Sequence, residues 1–387
     1  MRSKTRKDRV PAGILSAMFV CVLALGAQEL PVDPRNAVKI NLPPDSPVVL
    51  LSATVGESRA SARGAAAVLD LHMVLTLRNA TQSRIHGVTL RVVWQDVTVG
   101  GKASVTAPSL NIGPGETFPI RVDEQLMRPS QAGGGPVQVD LDGVLFQDLS
   151  FVGPDRLNSR RAMTAWEMEA QRDREHLKRA LAQGGREGLR REMLDSLERQ
   201  AERPRLDVRV LRGGRAISSA ALAPEHTAEF AFLNFPGSPV EPVNGWAQVA
   251  GNEARAPRIE LRNISNKPVK YVELGWLVRD QSGKQYMAAS IEPSGPDLFL
   301  PPGKTGRLLQ EAALEFSRGN GPVDVQGMTG FISQVEFADG KMWVPSRRNL
   351  EDAQLVKILP PSAEEQRLSE LYRRKGIEAL VEELNKF

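Results

Sequence analysis

Residues 258–280 read RIELRNISNKPVKYVELGWLVRD, and residues 74–96 read VLTLRNATQSRIHGVTLRVVWQD. The Leu-Arg-Asn triplets and the final Asp residues of these two stretches are separated by the same 184 positions. Three further matches follow in the same order: Gly113–Thr117 with Pro301–Thr305, Gly135–Val137 with Gly321–Val323, and Phe146–Asp148 with Phe337–Asp339. Segments that repeat in order with slightly different spacings indicate an internal duplication with loop insertions.

In each copy, apolar residues alternate with polar ones, which is the pattern of a half-buried β-strand. In the first copy the alternation runs from Leu69 to Leu77, stops at a polar turn, and resumes from Val88 to Trp94. Because the turn is short and rich in polar residues, the pattern predicts that the two strands form an antiparallel hairpin. Trp94 and Trp276 lie on the inward faces of the second strands, as the core Trp of immunoglobulin-like sandwiches does.

The later copy resembles a known module. Asn263–Leu274 matches its turn and strand, and Asp280–Lys284 and Leu300–Thr305 match its two Gly-Lys turns. On these residues the chain is similar to the FxLYD-type module, an immunoglobulin-like β-sandwich of exported bacterial proteins. The similarity covers about residues 255–345 and, more faintly, 65–150, and Leu277–Asp280 stands in place of the Phe-x-Leu-Tyr-Asp string. The resemblance implies a structural scaffold and brings no catalytic residues with it.

The first 27 residues have the features of a secretory signal peptide. Five basic residues precede an apolar run over residues 10–25, and small residues follow around Ala27. This pattern predicts export by the Sec route and cleavage, which would give a periplasmic or secreted protein without a transmembrane span. The alternative is an uncleaved signal anchor that tethers the protein to the inner membrane.

Removal of the leader changes the charge and the cysteine content. The full chain has a formal net charge of +4, and the leader itself carries +4, so the mature chain is close to neutral. A near-neutral chain argues against a nucleic-acid partner. The only cysteine, Cys21, lies in the leader, so the mature protein has neither a disulfide nor a thiolate ligand.

The pattern as a whole predicts a mostly β fold with added α: two tandem Ig-like antiparallel β-sandwiches, each followed by an amphipathic helix. The helical stripe includes Met163, Trp166 and Ala170, and we interpret the charged residues 172–179 as a solvated face. The predicted segments are a signal peptide (1–27), a Pro-rich arm (28–46), sandwich 1 (47–154), a helical hairpin (155–205), a β-hairpin and linker (206–242), sandwich 2 (243–350) and a C-terminal helix (360–387).

The sequence nominates no catalytic, cofactor-binding or metal site. Its four histidines lack metal-ligand spacing, and it has no phosphate-binding loop. Asp140, Asp142 and Asp148 could be read as calcium ligands, but a strand that ends in an Asp-Gly turn at 142–143 explains them better. Paired carboxylates for glycoside hydrolysis have no fixed motif, and nothing nominates such a pair. We therefore expect a protein that is not an enzyme and needs no cofactor.

Two functions compete. The first is an exported, non-catalytic scaffold or interaction protein of the bacterial cell envelope, which binds another envelope or secreted protein through sandwich edges or helices. The second is a carbohydrate-binding sandwich, with Trp246, Tyr271, Tyr286 and Trp343 as candidate ligand-face aromatics. An enzyme would require a pocket with paired acids of perturbed pKa. The sequence specifies neither the partner nor the oligomeric state.

Overall fold

The computed structural model of the protein describes residues 30–31, 38–95, 100–130, 136–201, 205–211, 224–288, 298–309, 312–319, 321–352, 355–356 and 358–387. Strands hold 49% of the described residues and helices 23%, which confirms the prediction of a mostly β fold with added helices. The predicted signal peptide, residues 1–27, lies outside the described residues. In the part of the chain that is described, no helix is both long enough and apolar enough to cross a membrane.

The first sandwich consists of two sheets around one apolar core. Its strands are β1 (Leu30–Pro31), β2 (Val38–Asn41), β3 (Val48–Val55), β4 (Arg59–Arg63), β5 (Ala66–Asn79), β6 (Ile85–Val93), β7 (Lys102–Ala107), β8 (Thr117–Pro129), β9 (Val137–Phe146) and β10 (Phe151–Val152). In one sheet, β5 pairs with β8 along one edge and with β3 and β4 along the other, and β1 pairs with β4. The other sheet has the order β7-β6-β9-β10, and β2 joins β9 in parallel.

The second sandwich repeats this arrangement. Its strands are β11 (Arg205–Leu211), β12 (His226–Glu229), β13 (Ala231–Leu233), β14 (Val240–Ala250), β15 (Glu253–Asn263), β16 (Val269–Asp280), β17 (Gln285–Ala288), β18 (Thr305–Leu309), β19 (Ala313–Arg318), β20 (Gly321–Pro322), β21 (Val325–Phe337) and β22 (Met342–Trp343). One sheet has β12-β14-β15 with β18 and β19 beside β15 and β20 beside β19, and the other has β17-β16-β21-β22. β13 joins β21 in parallel, as β2 joins β9.

The predicted hairpin between the two repeated strands is wrong. β5 pairs with β3, β4 and β8, whereas the next strand, β6, pairs with β7 and β9 in the opposite sheet. β15 and β16 are separated in the same way. Both strands of each pair bury their alternate apolar residues in one core, so the sequence pattern fits two facing strands as well as two adjacent ones.

A buried Asn holds the turn that crosses between the sheets in each copy. The Asn79 side-chain amide donates to the carbonyl oxygens of Ser83 at 2.8 Å and Ile112 at 3.1 Å. The Asn263 amide donates to Lys267 and Leu300 at 2.8 Å each. In both turns, the Asn Oδ1 accepts the backbone N–H of the residue two positions later at 2.9 Å. The repeated Asn-x-Ser/Thr motif is thus a structural element that satisfies buried polar groups.

Two predicted segments differ from the structure. The β-hairpin predicted within 206–242 lies partly outside the described residues, and the described strands of this segment all join the second sandwich: β11 pairs with β17 and β19, β12 with β14, and β13 with β21. The predicted linker overlaps a strand, because β14 begins at Val240 and includes Pro242. The Pro-rich arm over 28–46 also contains β2, which pairs with the first sandwich.

Two helical hairpins follow the sandwiches. The first is α1 (Ser159–Ala201), and the second is α3 (Ala363–Lys386), which comes after a single turn, α2 (Arg347–Leu350). Gly185 (φ 60°) and Gly376 (φ 81°) interrupt these helices with left-handed backbone that favours glycine. His176 Nε2 lies 2.9 Å from Glu192 Oε2, although a straight helix would separate these residues by about 24 Å. The 155–205 segment is therefore a hairpin, and the C-terminal helix predicted over 360–387 is divided at Gly376 into a second one.

The two hairpins pack against each other in a bundle of four helical arms. The core of the bundle consists of Leu177, Leu189 and Met193 from the first hairpin and Leu368, Leu380 and Leu384 from the second. Each residue of the first set lies 191 positions before its counterpart in the second set. The His176–Glu192 contact likewise has a counterpart 191 positions later, since Arg367 Nη1 lies 2.6 Å from Glu383 Oε1. The duplication therefore extends through the hairpins.

Candidate binding cleft

The first arm of α1, residues 159–184, lies between the two sandwiches. On the side of the first sandwich, the Thr89 hydroxyl donates to Met163 Sδ at 2.9 Å, and Gly87 leaves room for the Met163 methyl group. On the side of the second sandwich, Arg161 Nε donates to Glu336 Oε2 at 2.5 Å, and Arg160 binds the same carboxylate. Because Glu336 is fully buried, these ion pairs fix the arm against β21.

Asp142 positions the start of this arm. Its buried carboxylate accepts the backbone N–H of Arg156 at 2.8 Å and the Ser159 hydroxyl at 2.7 Å. The predicted Asp-Gly turn is wrong, because both residues lie inside β9. Gly143 is required there, since a Cβ would lie 1.9 Å from the Phe151 ring. Within the described ranges, no group of three or more His, Cys, Asp or Glu side chains could hold a metal ion.

A buried network of ion pairs connects the arm to the second hairpin. Arg174 donates to Glu167 Oε1 at 2.5 Å and to Glu364 Oε1 at 3.1 Å. His86 Nδ1 of β6 lies 2.8 Å from Glu167 Oε1, and the Phe387 ring covers the Arg174 guanidinium at 4.0 Å. The side chains of Arg174, Glu167 and Glu364 are almost inaccessible to solvent. Loss of Arg174 would therefore leave the buried Glu167 carboxylate without a guanidinium partner.

The prediction of a solvated charged face over 172–179 is wrong at two positions. Asp173 and Arg174 are 2% and 3% exposed, and Asp173 pairs with Arg172 at 2.9 Å.

The buried ion-pair network also lowers the pKa of Glu364. Burial raises the pKa of Glu364, but hydrogen bonds and charge from Arg367, together with the charge of Arg174, outweigh burial and hold that pKa below its ordinary value.

A cleft of about 470 Å³ opens along the free side of the arm. Both sandwiches and the helix contribute to its walls. The helix residues come from successive turns of one face, and two of them are alanines, which leave space for a ligand. The lining includes Ser104 and Thr106 of β7, Arg161, Ala162, Ala165, Trp166 and Glu169 of α1, Tyr271 and Glu273 of β16, and Ser333 and Gln334 of β21.

Trp166 presents a large aromatic surface in this cleft. It is 41% exposed, so the prediction that it belongs to the buried helical stripe is wrong. Met163 and Ala170 of the same stripe are buried, as predicted. The sandwiches cover two sides of the arm and leave the side of Trp166 open. This exposure could not be predicted from the sequence, because apolar spacing alone does not tell which turns of a helix lack a neighbour.

Glu169 lies one helical turn after Trp166 and was not singled out by the sequence. Its carboxylate has neither a hydrogen bond nor an ion pair within 4 Å among the residues that the structure describes. Burial raises the pKa of Glu169 to about 7; Arg172 opposes this rise, and the charges of Asp173 and Glu273 add to it. The group is therefore close to half-protonated at neutral pH.

The four aromatics proposed for a ligand face do not lie together. Tyr271 is buried at the edge of the cleft, with the Arg161 guanidinium 3.9 Å above its ring. Tyr286 is buried and donates its hydroxyl to Asp280 at 2.9 Å. Trp246 is half-buried under the Arg258 guanidinium on β14, and Trp343 packs against the core of the second sandwich. The structure brings only Tyr271 of these four to the cleft.

Comparisons with known proteins add little to this geometry. No family model matches the chain, and no curated protein matches it. Solved structures with some similarity include pT26-6p, which is 10% identical over 86% of this chain and 73% of that chain, with a TM-score of 0.17. A two-domain protein of unknown function from Bacteroides fragilis is 8% identical over 79% of this chain and 94% of its own, with a TM-score of 0.14. Similarity this weak supports no conclusion about the fold or the function, so the FxLYD resemblance stays a prediction.

Proposed function

We propose that this protein is an exported, non-catalytic scaffold of the bacterial cell envelope that binds a protein partner in the cleft beside Trp166. The predicted signal peptide and the resemblance to an exported module support the location. The exposed Trp166 in a cleft between two sandwiches carries the binding proposal, because exposed aromatic side chains in concave sites are typical of binding hot spots.

The contacts of the arm support a preformed site. Arg160 and Arg161 fix it to the second sandwich, and Thr89 and His86 connect it to the first. A ligand that enters the cleft therefore meets walls that are already ordered. Preformed walls lower the entropy cost of binding.

In-cell crosslinking followed by mass spectrometry tests the proposal. We expect the wild-type protein to capture one saturable partner and Trp166→Ala to lose it, because the truncation removes the aromatic surface from the cleft. Leu194→Ala is the matched control, since Leu194 is 53% exposed on the second arm of the same hairpin. Equal capture by all three proteins, or capture of no protein, would refute a partner site in the cleft.

Carbohydrate binding is the second candidate, and Trp166 favours it as well. Saccharide sites combine an aromatic surface with hydroxyl and carboxylate side chains, and Thr106, Ser104 and Glu273 line this cleft. Affinity electrophoresis with immobilised envelope polysaccharides would show retardation of the wild type and not of Trp166→Ala. Because two carboxylates share the cleft, the same experiment should measure the release of reducing ends, which a non-catalytic protein would not cause.

A further inference from the structure

We infer that the partner binds by adding an extended segment to β7 as a further strand, along the edge of the first sandwich that opens into the cleft beside Trp166. This inference rests on the proposed function. It specifies the chemistry of the ligand, which is a stretch of polypeptide that offers its backbone N–H and C=O groups.

The free edge of β7 is the first argument. β7 lies at the end of its sheet, where it pairs with β6 on one side. On the other side of β7, no strand among the described residues pairs with it. β8 bonds to the turn that precedes β7, since the Met127 N–H donates to the Gly100 carbonyl oxygen at 2.7 Å. An edge strand with unpaired backbone groups is a template for another strand.

The register of β7 identifies the backbone groups at this edge. In an antiparallel ladder, opposed residues alternate between pairs that exchange hydrogen bonds and pairs that do not. The Trp94 N–H donates to the Gly101 carbonyl oxygen at 2.8 Å, and the register then continues along β7 without a bulge. Ser104 and Thr106 therefore exchange no bond with β6, and their N–H and C=O groups point away from it. The Thr106 hydroxyl lies 3.1 Å from that of Thr89, as expected because side chains are closer in such pairs.

The second sandwich provides the second argument, because a strand covers its equivalent edge. β17 pairs with β16 as β7 pairs with β6, so β7 and β17 are counterparts. On the other side of β17, Arg205 and Leu206 of β11 run parallel to Met287 and Ala288. In the first sandwich, the described residues provide no strand in this place. An extended segment of another protein would fill it by the same kind of pairing.

The surroundings of the edge are the third argument. Ser104 and Thr106 both line the cleft, so the free edge opens into it. The exposed Trp166 ring offers a contact for a side chain of the added strand. On the wall formed by β21, the Ser333 hydroxyl is shielded from solvent and has no hydrogen-bond partner among the described residues. A backbone amide or carbonyl group of an inserted segment would satisfy this buried polar atom.

Amide hydrogen exchange of the mature protein first tests whether the edge is free. By the register of β7, the N–H groups of Ala103 and Val105 point to β6 and should be protected. Those of Ser104 and Thr106 should exchange at nearly the rate of an unstructured chain. Strong protection of Ser104 and Thr106 in the protein alone would mean that the edge is already covered, which would overturn the inference.

The probe is acetyl-Arg-Leu-Asp-Val-Arg-Val-Leu-amide, the sequence of β11, because β11 is the strand that joins the counterpart edge. Its fully N-methylated analogue keeps the side chains and has no backbone donor. We expect the saturating probe to slow exchange at Ser104 and Thr106 by about tenfold or more, and the analogue to have no effect. Equal effects of the two peptides, or no binding of the probe, would overturn the inference.

Ser104→Pro removes a backbone donor from the free edge and none that bonds to β6, so it should weaken probe binding by about tenfold. Thr227→Pro is the matched control on another edge strand, outside the cleft. The Phe230 N–H donates to the Gly245 carbonyl oxygen at 2.9 Å, and this register directs the N–H of the exposed Thr227 away from β14. The control should bind the probe as the wild type does. Undiminished binding by Ser104→Pro would contradict strand addition.

Capture in cells separates this inference from the proposed function. A partner that Ser104→Pro still captures and Trp166→Ala loses would leave the proposed function intact and refute strand addition. If the probe binds at the edge but the wild type captures no partner, the proposed function fails and the edge remains a peptide-binding site.

Discussion

The two helical hairpins have the same core and different beginnings. Leu177 and Leu189 of the first hairpin occupy the positions of Leu368 and Leu380 of the second, 191 residues later. The first hairpin, however, begins at Ser159, whereas the second begins at Ala363. After the offset of 191 is subtracted, the second hairpin begins about three and a half helical turns later than the first. The additional turns of the first hairpin are the part that lies between the sandwiches and lines the cleft.

The sequence explains this difference. The counterparts of Glu169 and Ala170, 191 positions later, are Pro360 and Pro361. Proline in a helix interior removes a backbone donor and collides with the preceding turn, so the second helix cannot extend further back. Ser362 caps it at that point by accepting the backbone N–H of Glu365 at 3.1 Å. Duplication thus accounts for the bundle, and the longer first arm accounts for the cleft.

The largest effect should come from breaking the contact between the hairpins. Arg174→Met would leave the buried Glu167 carboxylate without a guanidinium and break the ion pair to Glu364 of the second hairpin, which should lower the free energy of unfolding by about 3–5 kcal/mol. Urea denaturation measures this loss. Arg190→Met is the control, because its ion pair with Glu187 is exposed and should contribute less than about 1 kcal/mol. A similar small loss for both variants would show that the network does not hold the hairpins together.

Truncation of equivalent core residues tests whether the hairpins are energetically alike. Leu189→Ala and Leu380→Ala remove side chains that are both fully buried, and each should cost about 2–5 kcal/mol. We expect the two losses to agree within about 1 kcal/mol, because the two positions occupy the same core. Thermal and urea unfolding should show little change for the exposed control Leu194→Ala. A near-zero loss at either buried site would contradict the shared core.

The two crossing turns should also respond alike. Asn79→Ala and Asn263→Ala each remove at least two side-chain hydrogen bonds to backbone carbonyl oxygens, so each should lower the free energy of unfolding by roughly 1–3 kcal/mol. Asn244→Ala, which removes an exposed hydrogen bond to Glu260, should cost less than about 1 kcal/mol. Urea unfolding of the three variants makes the comparison. If Asn79→Ala left the free energy of unfolding nearly unchanged while Asn263→Ala lowered it, the motif would not stabilise the two copies in the same way.

The smallest expected effect concerns the cleft itself. The pKa of Glu169 is raised from 4.5 to about 7, so this carboxyl increasingly disfavours folding as the pH rises from 4.5 to about 7, and the full cost remains above that pH. Glu169→Gln should therefore stabilise the protein by roughly 1–3 kcal/mol at pH 8 and leave its stability unchanged at pH 4. The free energy of unfolding at both pH values checks this. Stabilisation at pH 4, or none at pH 8, would be inconsistent with a carboxyl of raised pKa.

The sequence predicted the elements of the fold better than their partners. Alternation located β5, β6, β15 and β16, because residues of a strand point alternately to two faces. It could not assign the strands to sheets, since facing and adjacent strands have the same pattern. The Gly breaks at 185 and 376 were recognisable because glycine tolerates the left-handed backbone of a reversal.

The cleft was beyond sequence reasoning for a physical reason. Arg174 meets Glu364 across 190 positions, so a charged helix face that ought to be solvated is partly buried. Trp166 was indistinguishable from its buried neighbour Met163 until the positions of both sandwiches were known. Tyr271 was the single candidate aromatic that lies at the cleft, and it came from the repeated strand rather than from any binding motif.

Site-specific photocrosslinking in cells tests the binding account most directly. A photoreactive residue at Ala162, which is exposed on the cleft face of the first arm, is compared with one at Leu194, which is exposed on the second arm. The account predicts a discrete crosslinked protein at position 162, reduced when Trp166→Ala is added, and none at position 194. A crosslink at position 194 alone, or equal crosslinks at both positions, would contradict a partner site in the cleft of the longer arm.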